Sequence, residues 1–152
     1  MSTDRIGHYL LLEEVGSGGQ ATVWRARDLK TQQEVAIKQP KPGHATNPDY
    51  ITRFHREAKI LAGVDHPNVI KILGHCGEER GHRTIDPHYL ALEYAPKDLD
   101  TVIEEARGKK EQGLPVLEAV KIARQVALAL DAVSAKAIHR DIKPGNILYS
   151  SY

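Results

Sequence analysis

Apolar residues crowd Tyr9 to Val15, and Gly16-Ser17-Gly18-Gly19 cuts the run sharply. A short apolar stretch bounded by a glycine cluster reads as a strand ending in a turn. A second strand is expected over about Thr22 to Arg27. A third follows over Glu34-Val35-Ala36-Ile37-Lys38, after the polar turn Asp28-Leu29-Lys30-Thr31-Gln32. Three strands joined by short turns predict an antiparallel meander. The proline-rich stretch Pro40 to Pro48 reads as a loop, with Asn47 as N-cap and Pro48 at the first position of a helix. Ile51, Phe54, Ala58 and Leu61 then recur at helical spacing, Gly63 stands near the end, and Asp65-His66-Pro67-Asn68 is a turn.

Val69 to Leu73 and Tyr89 to Tyr94 read as two more strands, joined by an exposed connection over Gly77 to Pro87. Pro96-Lys97 marks a boundary, beyond which the pattern turns helical. One helix is expected over Leu99 to Ala106 and another over Pro115 to about Ala135. In the latter, Val116, Val120, Ala123, Ala127 and Leu130 make one stripe, widened by Leu117, Ile122, Val126 and Val133. A stripe that broad predicts burial on more than one side. The fold class is therefore α+β, a five-stranded antiparallel sheet with one inserted helix, followed by a helical region. The domains expected are 9–95 and 96–152.

A hydrophobic fraction of 41% is enough for a core, and an aromatic fraction of 5% makes that core aliphatic. The formal charge is +1, which gives no electrostatic case for nucleic acid or an anionic membrane. No run approaches ~18 consecutive apolar residues, so no bilayer span is expected. Cys76 is the only cysteine, which excludes an intramolecular disulfide and leads us to expect a cytoplasmic or otherwise intracellular setting. His75, Cys76, His82 and His88 match no structural zinc spacing and read as solvated histidines beside an ordinary cysteine.

Three segments carry candidate chemistry. Glycines between two strands let the backbone approach a phosphate chain without a Cβ clash, and on that segment alone a plain hairpin turn is equally open. Lys38 shares a strand face with Ala36 and needs a counter-charge if it is partly buried. Glu57 on the following helix is the best candidate, against a snorkelling surface lysine. The sharpest signal is His139-Arg140-Asp141-Ile142-Lys143-Pro144-Gly145-Asn146. Asp141 can accept a hydrogen bond from a substrate hydroxyl, Lys143 can neutralise a transferring phosphoryl group, and Asn146 offers an oxygen to Mg2+.

Gly16, Gly18 and Val23, then Val35-Ala36-Ile37-Lys38, then His139-Arg140-Asp141 with Asn146, make the chain resemble the eukaryotic-type protein kinase family over roughly Tyr9 to Tyr149. The resemblance implies a kinase N-lobe followed by an incomplete helical C-lobe, with ATP and Mg2+ as cofactors. It implies that Lys38 contacts the ATP phosphates and pairs with Glu57, that Asp141 is the catalytic aspartate, and that Asn146 holds a metal ion. Leu92-Glu93-Tyr94-Ala95 would be the hinge, with Leu92 as gatekeeper. Val15, Gly16, Gly18 and Glu93 would line the nucleotide, Val23, Ala36 and Leu148 would sandwich adenine, and Asp98 would meet the ribose. Lys143, two residues after Asp141, resembles the class that phosphorylates protein Ser/Thr hydroxyls.

Two departures stand out. Ala21 occupies the position of the third loop glycine, and the sequence reaches Tyr152 without an Asp-Phe-Gly motif. The expectation is at most trace transfer activity for this chain alone, and a 115–135 helix left for the remainder of the lobe or a partner protein to cover. A noncatalytic nucleotide-binding or protein-interaction fragment is the alternative.

Overall fold

The computed structural model describes residues 4–76, 88–108, 113–138 and 141–150. The chain divides into two compact units, Met1–Gly63 with Ile70–Tyr94, and Val64–Val69 with Ala95–Tyr152.

In the first unit the strands are β1 (Arg5–Ile6), β2 (Tyr9–Ser17), β3 (Ala21–Asp28), β4 (Glu34–Pro40), β5 (Ile72–Cys76) and β6 (Tyr89–Glu93). They form one sheet in the order β1-β2-β3-β4-β6-β5, antiparallel throughout. The five expected strands are there, and β1 adds a sixth that is too short for any periodic signal. Its turn depends on Gly7, whose φ is +57° and where a Cβ would come within 3.2 Å of the Tyr89 hydroxyl. The expected strand from Val69 begins later, at Ile72, because Val69 donates its N–H to the His66 carbonyl and so belongs to the preceding turn.

Two-residue alternation gives the sheet two apolar faces. Ile6, Tyr9, Ala26, Val35, Ile37, Tyr89 and Ala91 pack on one. Leu90, with Ile72 and Leu92, meets Tyr50, Phe54 and Ala58 of helix α2 (Pro48–Ala62) on the other. Ile37, Leu90 and Val35 are fully buried, each contributing about 1.5–3 kcal/mol over an exposed position. The α2 start follows its sequence signal, since Asn47 Oδ1 accepts from the N–H groups of Asp49 (3.0 Å) and Tyr50 (3.1 Å). The loop expected over Pro40 to Pro48 contains one helical turn, α1 (Pro42–Ala45), where the Lys41 carbonyl accepts from His44 and Ala45. The connection Gly77 to Pro87 lies outside the described residues.

The second unit holds α3 (Leu99–Gly108), α4 (Val116–Ser134), a 3-10 turn (Pro144–Asn146) and the two-stranded ladder of β7 (Lys97–Asp98) with β8 (Leu148–Tyr149). The broad apolar stripe of α4 is not buried on two sides; it stands open, as expected of a helix left uncovered in this chain. No α4 residue is buried among the described residues, and Val116 (80%) and Val120 (59%) are largely exposed. Among the described residues one flank meets partners: Ile122, Val126 and Leu130 face Leu99, Ile103 and Ile147 around an open apolar cavity of about 410 Å³. Tyr149 anchors β8 to α4 by donating its hydroxyl hydrogen to Glu118 at 2.8 Å, a bond that raises its pKa. Among the described residues no helix is long and apolar enough to cross a membrane.

Candidate active site

In the first unit the ladder register gathers the candidate binding residues on the face that also carries α2. Val23 opposes both Gly16 and Lys38, Ala36 opposes Leu92, and Lys38 opposes Leu90. Directly opposed residues share a face, so Val23, Ala36, Lys38 and Leu92 form one surface. Val15 falls at a register shift between Glu14 and Gly16 and is 45% exposed, where an irregular strand re-aims its side chain. Glu93 is held twice by Lys71, donating its N–H to that carbonyl and accepting the Lys71 N–H on Oε2, both at 3.1 Å.

The turn between β2 and β3 closes with the Gly18 N–H donating to the Ala21 carbonyl at 3.0 Å, so Ala21 serves the turn through its backbone. Packing does not demand the loop glycines. A Cβ at Gly16 or Gly18 would meet its nearest neighbour at an ordinary 3.8 Å, and at Gly19 nothing within 4 Å. Their φ angles also lie outside the left-handed region. Small residues there leave the backbone of the turn open to close approach.

The structure brings Lys38 and Glu57 together, Nζ to Oε1 at 3.6 Å. The ammonium also stands 6.0 Å from the centroid of the Phe54 ring. Phe54 was legible in the sequence only as a core position, although its place three residues before Glu57 puts both on one side of α2. The ion pair is too open to contribute much stability, well under ~1 kcal/mol. Its use is to hold a cation on the Val23–Ala36 surface.

In the second unit, Asp141, Lys143 and Asn146 converge. Lys143 Nζ is 3.1 Å from Asp141 Oδ2, and Asn146 Nδ2 donates to the same oxygen at 2.9 Å and to the Asp141 carbonyl at 2.8 Å. Pro144 and Gly145 make the reversal, with Asn146 N–H donating to Lys143 O and Ile147 N–H to Pro144 O. Gly145 is tight against α3, where an added Cβ would lie 3.0 Å from Asp100 Oδ2. Leu99 N–H donates to Ile147 O at 2.8 Å, fixing the loop to the start of that helix. His139 and Arg140 lie outside the described residues.

Asp98 pairs with Leu148 in the β7–β8 ladder, so these two candidates are neighbours. The carboxylate has a structural task as well. Asp98 Oδ1 caps α3, accepting from the Thr101 N–H at 2.8 Å and from its hydroxyl at 2.7 Å. Those two bonds, led by the backbone one, hold its carboxyl below the ordinary 3.8. Thr101 was missed in the sequence, although its three-residue spacing from Asp98 is a capping signal.

The donor set fits Mg2+ in a limited way. Asn146 spends its NH2 group on Asp141, which turns its amide oxygen, a hard ligand, elsewhere. Among the described residues no three His, Cys, Asp or Glu side chains could hold a metal ion together.

The first unit thus carries a paired lysine on a sheet face, and the second a turn built around Asp141. A family model described as protein kinase domain matches residues 9–152. The chain is 36% identical over 143 residues to the serine/threonine-protein kinase PrkC of Bacillus subtilis (strain 168), covering 93% of this chain and 20% of that protein. It is 33% identical over 144 residues to the serine/threonine-protein kinase PknA of Mycobacterium tuberculosis (strain ATCC 25618 / H37Rv), covering 93% of this chain and 32% of that protein. A probable serine/threonine-protein kinase of Clostridium perfringens (strain 13 / Type A), CPE1738, is 36% identical over 142 residues, 92% of this chain and 19% of its own length. The chain thus spans from 19% to 32% of the length of these curated relatives. The chain belongs to the protein kinase domain family.

Proposed function

We propose that this chain carries the ATP-binding and catalytic-loop portion of a serine/threonine protein kinase, which moves the γ-phosphoryl group of Mg2+–ATP to a protein Ser or Thr hydroxyl. The observation that carries the reading is the catalytic-loop cluster, in which one oxygen of Asp141 is held by both Lys143 and Asn146. A carboxylate oriented this way accepts the hydrogen bond of an incoming hydroxyl and aims its oxygen at phosphorus. The Lys143 ammonium neutralises charge that builds on the phosphoryl oxygens. Mg2+, when bound with ATP, screens the phosphate charge, and Asn146 is the residue here that would hold it. Lys38, kept in place by Glu57, grips the phosphates. In the first unit, Val23 and Ala36 supply apolar surface for the adenine ring, and Leu92 with the Glu93 backbone supplies its edge contacts. Asp98 would add a ribose contact to its capping role.

The test has two stages. Titration with a fluorescent ATP analogue in Mg2+ is expected to saturate and to weaken strongly in Lys38→Met. Labelled γ-phosphate transfer to a generic Ser/Thr protein substrate is then compared with Asp141→Asn. Transfer that disappears in D141N supports the assignment. Failure to bind the analogue, or transfer surviving D141N, refutes it.

A further inference from the structure

Away from the catalytic residues, the first unit brings together three histidines that are far apart in sequence. Nε2 of His55 and Nδ1 of His88 are 3.0 Å apart, with ring centroids at 5.2 Å and planes at 64°. The His75 ring lies 6.4 Å from His55, centroid to centroid. Their placement follows from the fold. His88 precedes Leu90 by two residues and so shares the sheet face that receives α2. His55 follows buried Phe54 on that helix, at the margin of its packed side.

We propose that His55 and His88 form a binding site for a divalent transition-metal ion of the zinc class, which clasps α2 to the start of β6. The separation of the two nitrogens is the central argument. Two imidazole ligands at about 2.0–2.1 Å from one ion, subtending roughly 90–110°, have nitrogens roughly 2.9–3.4 Å apart. The observed 3.0 Å falls within that interval. One imidazole now donates its N–H to the lone pair of the other. Binding needs both lone pairs, so the donating ring switches tautomer and carries its proton on its other nitrogen, with no net proton released, and each ring turns off the shared N–N line to face the metal.

Nitrogen ligands select zinc, nickel or copper over Mg2+, which prefers oxygen, so the site is chemically distinct from the nucleotide's cation. Among the described residues no three such side chains are close enough to enclose an ion. Water would therefore complete the shell, with the His75 ring nearby. The consequence reaches Glu57, two residues along α2 from His55. An ion bridging His55 and His88 would fix the helix that holds Glu57 against Lys38.

The experiment is calorimetric titration of the full chain with ZnCl2 in excess Mg2+. One saturable equivalent is expected, and affinity is expected to fall by more than about tenfold in both His55→Gln and His88→Gln. His44→Gln, in α1 and outside the cluster, should bind like the parent. Because a glutamine variant also loses the imidazole pair's hydrogen bond, unfolding midpoints are measured with and without ZnCl2. The midpoint should rise with zinc in the parent and stay fixed in both variants. No saturable equivalent, undiminished binding in both variants, or a parent midpoint unmoved by saturating zinc would each overturn the proposal.

Discussion

Replacing Gly16 by alanine should make the protein more stable and a poorer nucleotide binder. The new Cβ would stand 3.8 Å from Val23 Cβ, an ordinary van der Waals contact, and Gly16 has no left-handed φ to preserve. The folded state therefore accepts the methyl without strain. The unfolded chain loses freedom, which stabilises the fold by about 0.4–1 kcal/mol. The same methyl projects beside Val23 on the surface that carries Ala36 and Lys38. A bound nucleotide would have to move away from it. Overpacking of that kind costs about 1–3 kcal/mol, and at ~1.4 kcal/mol per decade the affinity falls about fivefold to a hundredfold. Urea denaturation gives the first quantity and titration with a fluorescent ATP analogue the second. Unchanged affinity would show that the glycine turn does not face the ligand. A loss of stability greater than about 1 kcal/mol would show that the backbone at Gly16 is not as described.

Two further outcomes are expected. Asp98→Ala should destabilise α3 by about 1 kcal/mol, while Asp98→Asn, which keeps an acceptor for the Thr101 N–H, should cost much less in urea melts. Because the folded carboxyl lies below its ordinary 3.8, the cap's charge-dependent stability is present above that pH and is lost as pH falls through the lower folded value. A parent-minus-Ala difference unchanged down to pH 2 would contradict this. Hydrogen exchange should be slowest at Val35, Ile37 and Leu90, which are fully buried, and much faster along α4, where no described residue is buried. Equal protection in both places would refute it.

The sequence by itself determined the local elements and the chemistry within single segments. Asn47-Pro48 fixed the start of α2 because a cap and its first-turn proline act over three or four residues. The cluster of Asp141, Lys143 and Asn146 was legible because one short turn holds all three. Val35-Ala36-Ile37-Lys38 placed Ala36 and Lys38 on one strand face because strand period is independent of context. Tertiary structure alone decided which distant residues meet. It brought Lys38 against Glu57 and Phe54 and set His55 beside His88. It also decided that, among the described residues, the apolar breadth of α4 meets partners along one flank. These outcomes depend on ladder register and helix packing, which join residues tens of positions apart. No local periodicity encodes such a meeting, because it is fixed only when whole faces are matched and buried.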